Sequence, residues 1–278
     1  MVINPAALDA VVRDYLNINA PRTMAVLEPL KVTIRNFSEL NIPPKLAVCD
    51  FPPIASAPTT STAEHEIELS NVVFIESSDY RKDNTDKKFR RLTKQQPVAL
   101  KHIGLVLTVV EEIVDKSGHV TELVDNTDKK FRRLTKQQPV ALKHIGLVLT
   151  VVEEIVDKSG HVTELVVSAE KATDANRPKA FIHWVSNPIK CEVRIYDRLF
   201  KNKNPEDPQV VPGGFLEDCD PDSMKVMNNV FIDKYLAGSK LYDRFQFERT
   251  GFFTVDKDST PNKLVFNRTV VLKEDSGK

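Results

Sequence analysis

An all-β fold with one short N-terminal helix is the architecture this sequence predicts, on three observations. Segments at 31–35 and 66–69 alternate polar and apolar residues with period two, the pattern of half-buried strands. A strongly apolar run follows at 71–76 and reads as a further strand. Between the first two lies a stretch at 51–62 rich in Pro, Ser and Thr, whose prolines cannot sit in a continuous strand. Many strands, few helices and Pro-rich turns point to β-barrels.

The helix comes first. Asn4 is a good N-cap and Pro5 suits the first turn, where a missing N–H costs nothing. Leu8, Val11, Val12, Tyr15 and Leu16 fall on one face at helical spacing. The helix ends within 17–21, because the residue before Pro21 is pushed out of the helical region. A helix this short is marginal alone in water, so the expectation is that it packs on something upstream. Later strands are expected at 98–109, 120–124, 180–185, 192–196, 225–232, 245–255 and 264–272.

Residues 83–124 recur without a change as 125–166, a period of 42. Solenoid repeats diverge and need about three units to bury a common core, so two identical copies between non-repetitive flanks are a different object. Removing either copy leaves one continuous segment. Two claimants then compete for one slot, and a crossover anywhere in the repeat fills it with the same residues. The surplus loop is tolerable, since closure entropy grows only logarithmically with length. Its apolar strand, 103–110 or its twin, is the hazard, because an unpaired strand invites aggregation or swapping.

Composition narrows the partners. Formal net charge is zero, which argues against nucleic-acid binding by bulk charge but not against reading bases with a few placed arginines. No run of 18 apolar residues and no secretory leader is visible, and Cys49, Cys191 and Cys219 have no metal or disulfide spacing. The expectation is a cytosolic protein with reduced thiols, no metal, no membrane partner and no DNA partner.

Four blocks carry a family likeness: Lys179-Ala-Phe-Ile-His-Trp-Val-Ser186, Cys191-Glu-Val-Arg-Ile-Tyr-Asp-Arg-Leu-Phe200, Phe245-Gln-Phe-Glu-Arg-Thr-Gly-Phe-Phe253 and Val265-Phe-Asn-Arg-Thr-Val270. In this order and spacing the chain resembles the C-terminal anticodon-binding half of the glutaminyl-tRNA synthetases, the eukaryotic form above all. The resemblance runs from about Asn4 to the end and is interrupted by the duplication. It implies two β-barrels: a proximal one from 21–92 with 227–278 and a distal one from 93–226, after a linking helix at 1–20.

The resemblance also implies site residues. Unpaired anticodon bases are read on their Watson–Crick edges and held by stacking and phosphate contacts. Arginine offers a rigid fork of donors, and glutamine a donor and an acceptor that match the imide edge of uracil. Arg22, in Asn19-Ala-Pro-Arg-Thr, matches a base- or phosphate-contacting arginine. Arg90 and Arg91, or their copies Arg132 and Arg133, match the family's basic pair, and Gln246 and Arg249 match readers of the middle and third bases. A basic position of bacterial relatives is Ala99 (or Ala141) here. Three residues apart on one strand, Gln246 and Arg249 would face opposite ways unless a bulge or turn intervenes. Trp184 and the Phe252-Phe253 pair read as core.

The class I catalytic signatures have no match. Lys101-His-Ile-Gly-Leu105 lacks the second histidine of His-Ile-Gly-His, and Met224-Lys225 lacks its Ser-Lys. With nine glycines, no phosphate-cradling loop appears. The expected function is recognition of the anticodon loop of glutamine tRNA without aminoacylation by this chain. ATP and magnesium belong, by resemblance, to a catalytic domain that the sequence does not contain. Glutamine tRNA is the implied partner, with other synthetases of a multisynthetase assembly as a further candidate. Three readings stay open beside it: a free-standing tRNA-recruiting module, a remnant that binds nothing, and the anticodon region of a glutamyl-tRNA synthetase.

Overall fold

A computed structural model describes residues 4–40, 42–51, 63–81, 92–93, 98–100, 105–107, 148–160, 162–170 and 181–272. One α-helix, α1 (Pro5–Asn19), precedes nineteen strands among these residues. They are β1 (Arg22–Thr23), β2 (Ala25–Val26), β3 (Pro29–Ile34), β4 (Lys45–Cys49), β5 (Glu64–Glu68), β6 (Val72–Glu76), β7 (Tyr80–Arg81), β8 (Leu92–Thr93), β9 (Val98–Leu100) and β10 (Leu105–Leu107). The rest are β11 (Val148–Val156), β12 (Val162–Glu170), β13 (Phe181–Ile182), β14 (Val185–Ser186), β15 (Ile189–Tyr196), β16 (Met224–Ile232), β17 (Arg244–Phe247), β18 (Gly251–Val255) and β19 (Val265–Val270).

Helix α1 starts as its residues dictate, with the Asn4 side chain accepting from the Ala6 N–H at 3.0 Å. It runs on to Asn19, and the Ala20 N–H closes it on the Leu16 carbonyl at 2.9 Å. Leu16 and Ala20 pack with Phe252 and Val270. Leu8, Val11, Tyr15 and Ile18 remain exposed.

The first barrel has the strand order β1-β17-β18-β19-β15-β16-β2. Its two edge strands are one stretch of chain: β1 pairs in parallel with β17, and three residues later β2 pairs antiparallel with β16. The segment 22–26 thereby joins the open edges, which removes both as free templates. Alternation explains how one stretch serves two cores. Ala25 faces the core of Val193, Val230, Phe247 and Phe266, whereas Met24 and Val26 face the core of the second unit.

That second barrel is built on the sheet β11-β12-β3-β6-β14 with the β4–β5 hairpin over the same core. Leu30, Val32, Ile34, Val73 and Ile75 alternate inward from β3 and β6 around the fully buried Trp184. Relative to the expected partition, strands from 22–26 and 189–270 lie in the first sheet, and β3, β6, β11, β12 and β14 in the second. The expected strand at 245–255 is a hairpin, β17–β18, and that at 180–185 is two short strands interrupted by His183 and Trp184. The expected strand at 120–124 and the loop at 52–62 lie outside the described residues.

Both repeat copies contribute to the second barrel. Strands β8 to β10 are first-copy residues, whereas β11 and the 162–166 part of β12 are second-copy residues. Val106-Leu107 of β10 and Val148-Leu149 of β11 are equivalent positions, so both copies of these two residues lie in strands. The flanks explain the choice. Upstream, β8 lies parallel to β7, and the first copy is the one joined directly to Tyr80 and Arg81. Downstream, β12 continues past the repeat into Val167, which is fully buried, pairs with Ile34 and accepts the Arg35 N–H at 2.6 Å. The first copy is followed there by Asp125, and a carboxylate in that buried place would be far costlier.

Candidate nucleic-acid interface

The seam of the first barrel brings two of the expected readers together. The Pro21 carbonyl accepts the Gln246 N–H at 2.9 Å, and the Thr23 carbonyl accepts the Glu248 N–H at 3.0 Å. This parallel pairing sets Arg22 in register with Gln246, so their side chains leave the sheet on one face. Phe245 and Phe247 point into the barrel core, and Gln246 points outward beside the end of α1, opposite Phe252. Gln246 is 8% exposed, and its Oε1, itself buried, has no hydrogen-bond partner among the described residues. Such an orphan acceptor is costly in a finished core and useful where a ligand supplies the donor. The Arg22 guanidinium donates only to Asn17 Oδ1, at 3.3 Å, among the described contacts.

Arg249, the third expected reader on this hairpin, faces the second barrel. A turn between β17 and β18 holds it at φ +62°, which removes the opposite-face problem that a straight strand would pose. Gly251 follows at φ +154°, and a Cβ there would meet the Val270 carbonyl at 3.0 Å, so this hairpin needs its glycine. The Arg249 guanidinium forks onto Asp79, Nη1 to Oδ2 at 2.7 Å and Nη2 to Oδ1 at 2.8 Å. Nη1 also lies 3.2 Å from His183 Nδ1. Arginine only donates, so Nδ1 accepts and the ring proton sits on Nε2, 3.4 Å from Glu76 Oε1. Glu76 in turn accepts the N–H groups of Leu27 at 2.7 Å and Glu28 at 3.0 Å. Burial pushes the Glu76 carboxyl up, but the His183 hydrogen bond and the two backbone donors outweigh it and hold it below the ordinary range.

Sequence reasoning missed Asp79, Glu76 and His183. One signal was available: His65 and His183 are the two histidines outside the duplication, and both lie at barrel–barrel contacts. His65 Nδ1 lies 2.6 Å from Asp50 Oδ1, and its ring stacks on Tyr235 of the first barrel at 4.2 Å. The Tyr235 hydroxyl reaches Asp50 Oδ2 at 3.3 Å; burial, then the Asp50 charge, raises that phenol's pKa. Trp184, Phe252 and Phe253 are core residues, as expected.

Arg90, Arg91, Arg132 and Arg133 lie outside the described residues. Leu92, the residue after the first pair, is in register with Tyr80, next to Asp79. Ala99 lies in β9, paired with Val106 and Phe181. Among the described residues no cluster has the makings of a metal site, and no helix is long and apolar enough to cross a membrane.

Family models described as "tRNA synthetases class I (E and Q), anti-codon binding domain" match residues 20–128 and 181–256. The chain is 53% identical over 274 residues to a probable glutamine--tRNA ligase of Caenorhabditis elegans, covering 99% of this chain and 29% of that protein. It is 44% identical over 279 residues to a probable glutamine--tRNA ligase of Drosophila melanogaster (100% and 29%). It is 40% identical over 277 residues to the glutamine--tRNA ligase of Bos taurus (99% and 29%). The chain thus spans 29% of the length of each of these relatives.

Proposed function

On the premise that this chain belongs to the anticodon-binding domains of the class I glutamyl- and glutaminyl-tRNA synthetases, we propose that it recognises the anticodon loop of glutamine tRNA. The observation that carries the reading is the pairing of Arg22 with Gln246 at the barrel seam, with an orphan amide oxygen on Gln246. Uracil presents an imide N–H flanked by carbonyls, so a glutamine amide meets it with acceptor and donor together. Arg22 then supplies charge-assisted donors to a neighbouring base or phosphate. The choice of glutamine over glutamate tRNA rests on the relatives, whose printed names are glutamine--tRNA ligases.

Arg90 and Arg91, or Arg132 and Arg133, belong to the same proposal as phosphate or base contacts from the second barrel. In the ATP-dependent ligase that the relatives imply, ATP and magnesium would serve amino-acid activation and take no part in this recognition step. Free cysteines at Cys49, Cys191 and Cys219 fit a reducing, cytosolic setting. Association with other synthetases is a further reach of the same reading.

The test is equilibrium binding of glutamine tRNA beside a variant with the middle anticodon base changed, at about 50 and 200 mM salt. The reading expects a preference for the native anticodon that persists at the higher salt, because base contacts release few counterions. Gln246→Ala should weaken native binding by about 1–3 kcal/mol and relax the preference at the middle base. Equal, steeply salt-dependent binding to both RNAs would refute base recognition.

A further inference from the structure

We propose that Asp50 and His65 of the second barrel are positioning residues for the seam of the first: together with Tyr235 they hold Arg22 and Gln246 from behind. The consequence for RNA rests on the anticodon-recognition reading, whereas the contacts do not. Asp50 follows β4, and its N–H carries the hairpin one bond further, to the Ala63 carbonyl at 2.9 Å. Its own carbonyl accepts the Arg22 N–H at 2.8 Å. This bond matters because β1 is two residues long and pairs on one side only, with β17. So short an edge strand cannot by its own ladder hold a side chain to the roughly 0.5 Å that recognition of a base requires. The neighbouring barrel supplies the missing support.

Asp50 is in turn held by side chains. Its Oδ1 accepts from His65 Nδ1 at 2.6 Å, and its Oδ2 accepts from the Tyr235 hydroxyl at 3.3 Å. An ionised carboxylate only accepts, so a proton sits on His65 Nδ1. Asp50 and His65 are each 6% exposed, and hydrogen bonds to a charged group are stronger than neutral ones. The His65 ring lies on that of Tyr235, with centroids 4.2 Å apart and planes 17° apart. Asp233 caps the turn that carries Tyr235 by accepting its N–H at 2.9 Å. Tyr235 then meets Phe245 edge-on at 6.5 Å, and Phe245 is the residue before Gln246 on β17. One cluster thus touches both strands of the seam, β1 through its backbone and β17 through an aromatic ring.

The experiment needs one readout without RNA and one with it. The first is hydrogen exchange of the Arg22 amide, followed by NMR. His65→Phe keeps a ring for Tyr235 and removes the donor to Asp50, whereas His65→Asn restores a donor near the Nδ1 position. The proposal expects protection of the Arg22 amide to fall about tenfold in His65→Phe and to recover in large part in His65→Asn. The Glu192 amide, bonded to the Leu264 carbonyl at 2.9 Å elsewhere in the same barrel, should keep its protection in both. Tyr235→Phe, which keeps the rings and loses only the hydroxyl bond, should show a smaller fall at Arg22. It serves as the second variant if His65→Phe does not fold.

The second readout is the ratio of affinities for glutamine tRNA and its middle-base variant. His65→Phe should lower that ratio about fivefold, and His65→Asn should restore most of it. A merely structural loss would remove folded protein, weaken both RNAs in proportion and leave the ratio alone. Combined with Arg22→Ala, His65→Phe should cost less than the sum of the two single changes, because both act through one side chain. Unchanged protection at Arg22 in His65→Phe and Tyr235→Phe overturns the proposal. So does a fall in protection that leaves the ratio intact. If the unsubstituted chain shows no anticodon preference, the function reading fails, and hydrogen exchange still decides whether the cluster holds Arg22.

Discussion

In the first barrel each strand is a stretch of unrepeated sequence, and the segment 22–26 joins its edges in a single pass. In the second, β8 to β10 come from one repeat copy and β11 with most of β12 from the other. The residues filling the repeated slot would be identical whichever copy supplied them. What differs is the sequence just beyond the repeat, Val167 in one case and Asp125 in the other. Ambiguity in a repeated strand is thus settled by its first unrepeated neighbour, because that neighbour is buried.

The sharpest way to break this comparison is Val167→Asp. Val167 is fully buried between β11 and β3, and an unpaired carboxylate there should cost about 3–5 kcal/mol. Urea unfolding should show the loss in the second barrel. If the first copy held the whole slot, Val167 would sit in surplus chain and the substitution would be nearly silent.

Removing 42 residues anywhere within 83–166 yields one and the same shorter chain. In it Val106-Leu107 of β10 and Val148-Leu149 of β11 become the same two residues, so the two strands merge into one and the other described elements are kept; it should fold and bind as before. Closing the surplus loop costs roughly 3 kcal/mol or less on the logarithmic scale, and the deletion should recover up to that amount in thermal unfolding. A deletion that destabilised the chain would mean that residues between the two contributions hold the fold.

Legibility followed sequence distance. The α1 cap, the alternation in β3 and β5, and the core placement of Trp184 depend on residues a few positions apart, and all were readable. The β17–β18 turn was half readable: Gln246 and Arg249 could share a face only with a bulge or turn between them, yet one strand was expected over 245–255, and the break falls where Arg249 and Gly251 take positive φ. The Arg249–Asp79 fork spans 170 positions, and nothing local in Ser-Ser-Asp-Tyr marks Asp79 as the buried partner of an arginine. The resemblance matched Arg249 to a base reader, and its contact with Asp79 becomes visible only once the two barrels pack. The sharing of 22–26 by both cores was unreadable for the same reason. A five-residue stretch announces burial, not which of two cores each face meets.

The linker grip on Glu76 sharpens the contrast at the junction. Its folded pKa lies below the ordinary 4.5, so its contribution is full above 4.5 and is lost as pH falls through the lower folded value. Glu76→Gln should cost about 1–3 kcal/mol near neutrality and flatten that part of the acid limb. A parallel pH–stability curve for the variant would show that Glu76 carries no such linkage.

The first barrel offers the smaller effects. Burial, with Glu192 beside it, pushes the Cys191 thiol up to about 12, so in the native state it should stay unalkylated while Cys49 and Cys219 react. The smallest effect lies on its rim. There Arg194 Nη1 donates to Asp258 at 2.7 Å, and Lys257 adds a second bond at 3.0 Å. These hold the Asp258 carboxyl at about 2, against 3.8 when free. Its stabilisation is therefore present above 3.8 and is lost as pH falls toward 2. The pair is open to water, so salt should weaken it. Arg194→Gln should move the Asp258 titration, followed by carboxyl NMR, back toward 3.8. An Asp258 titration that stayed where it was would mean that Arg194 does not set it.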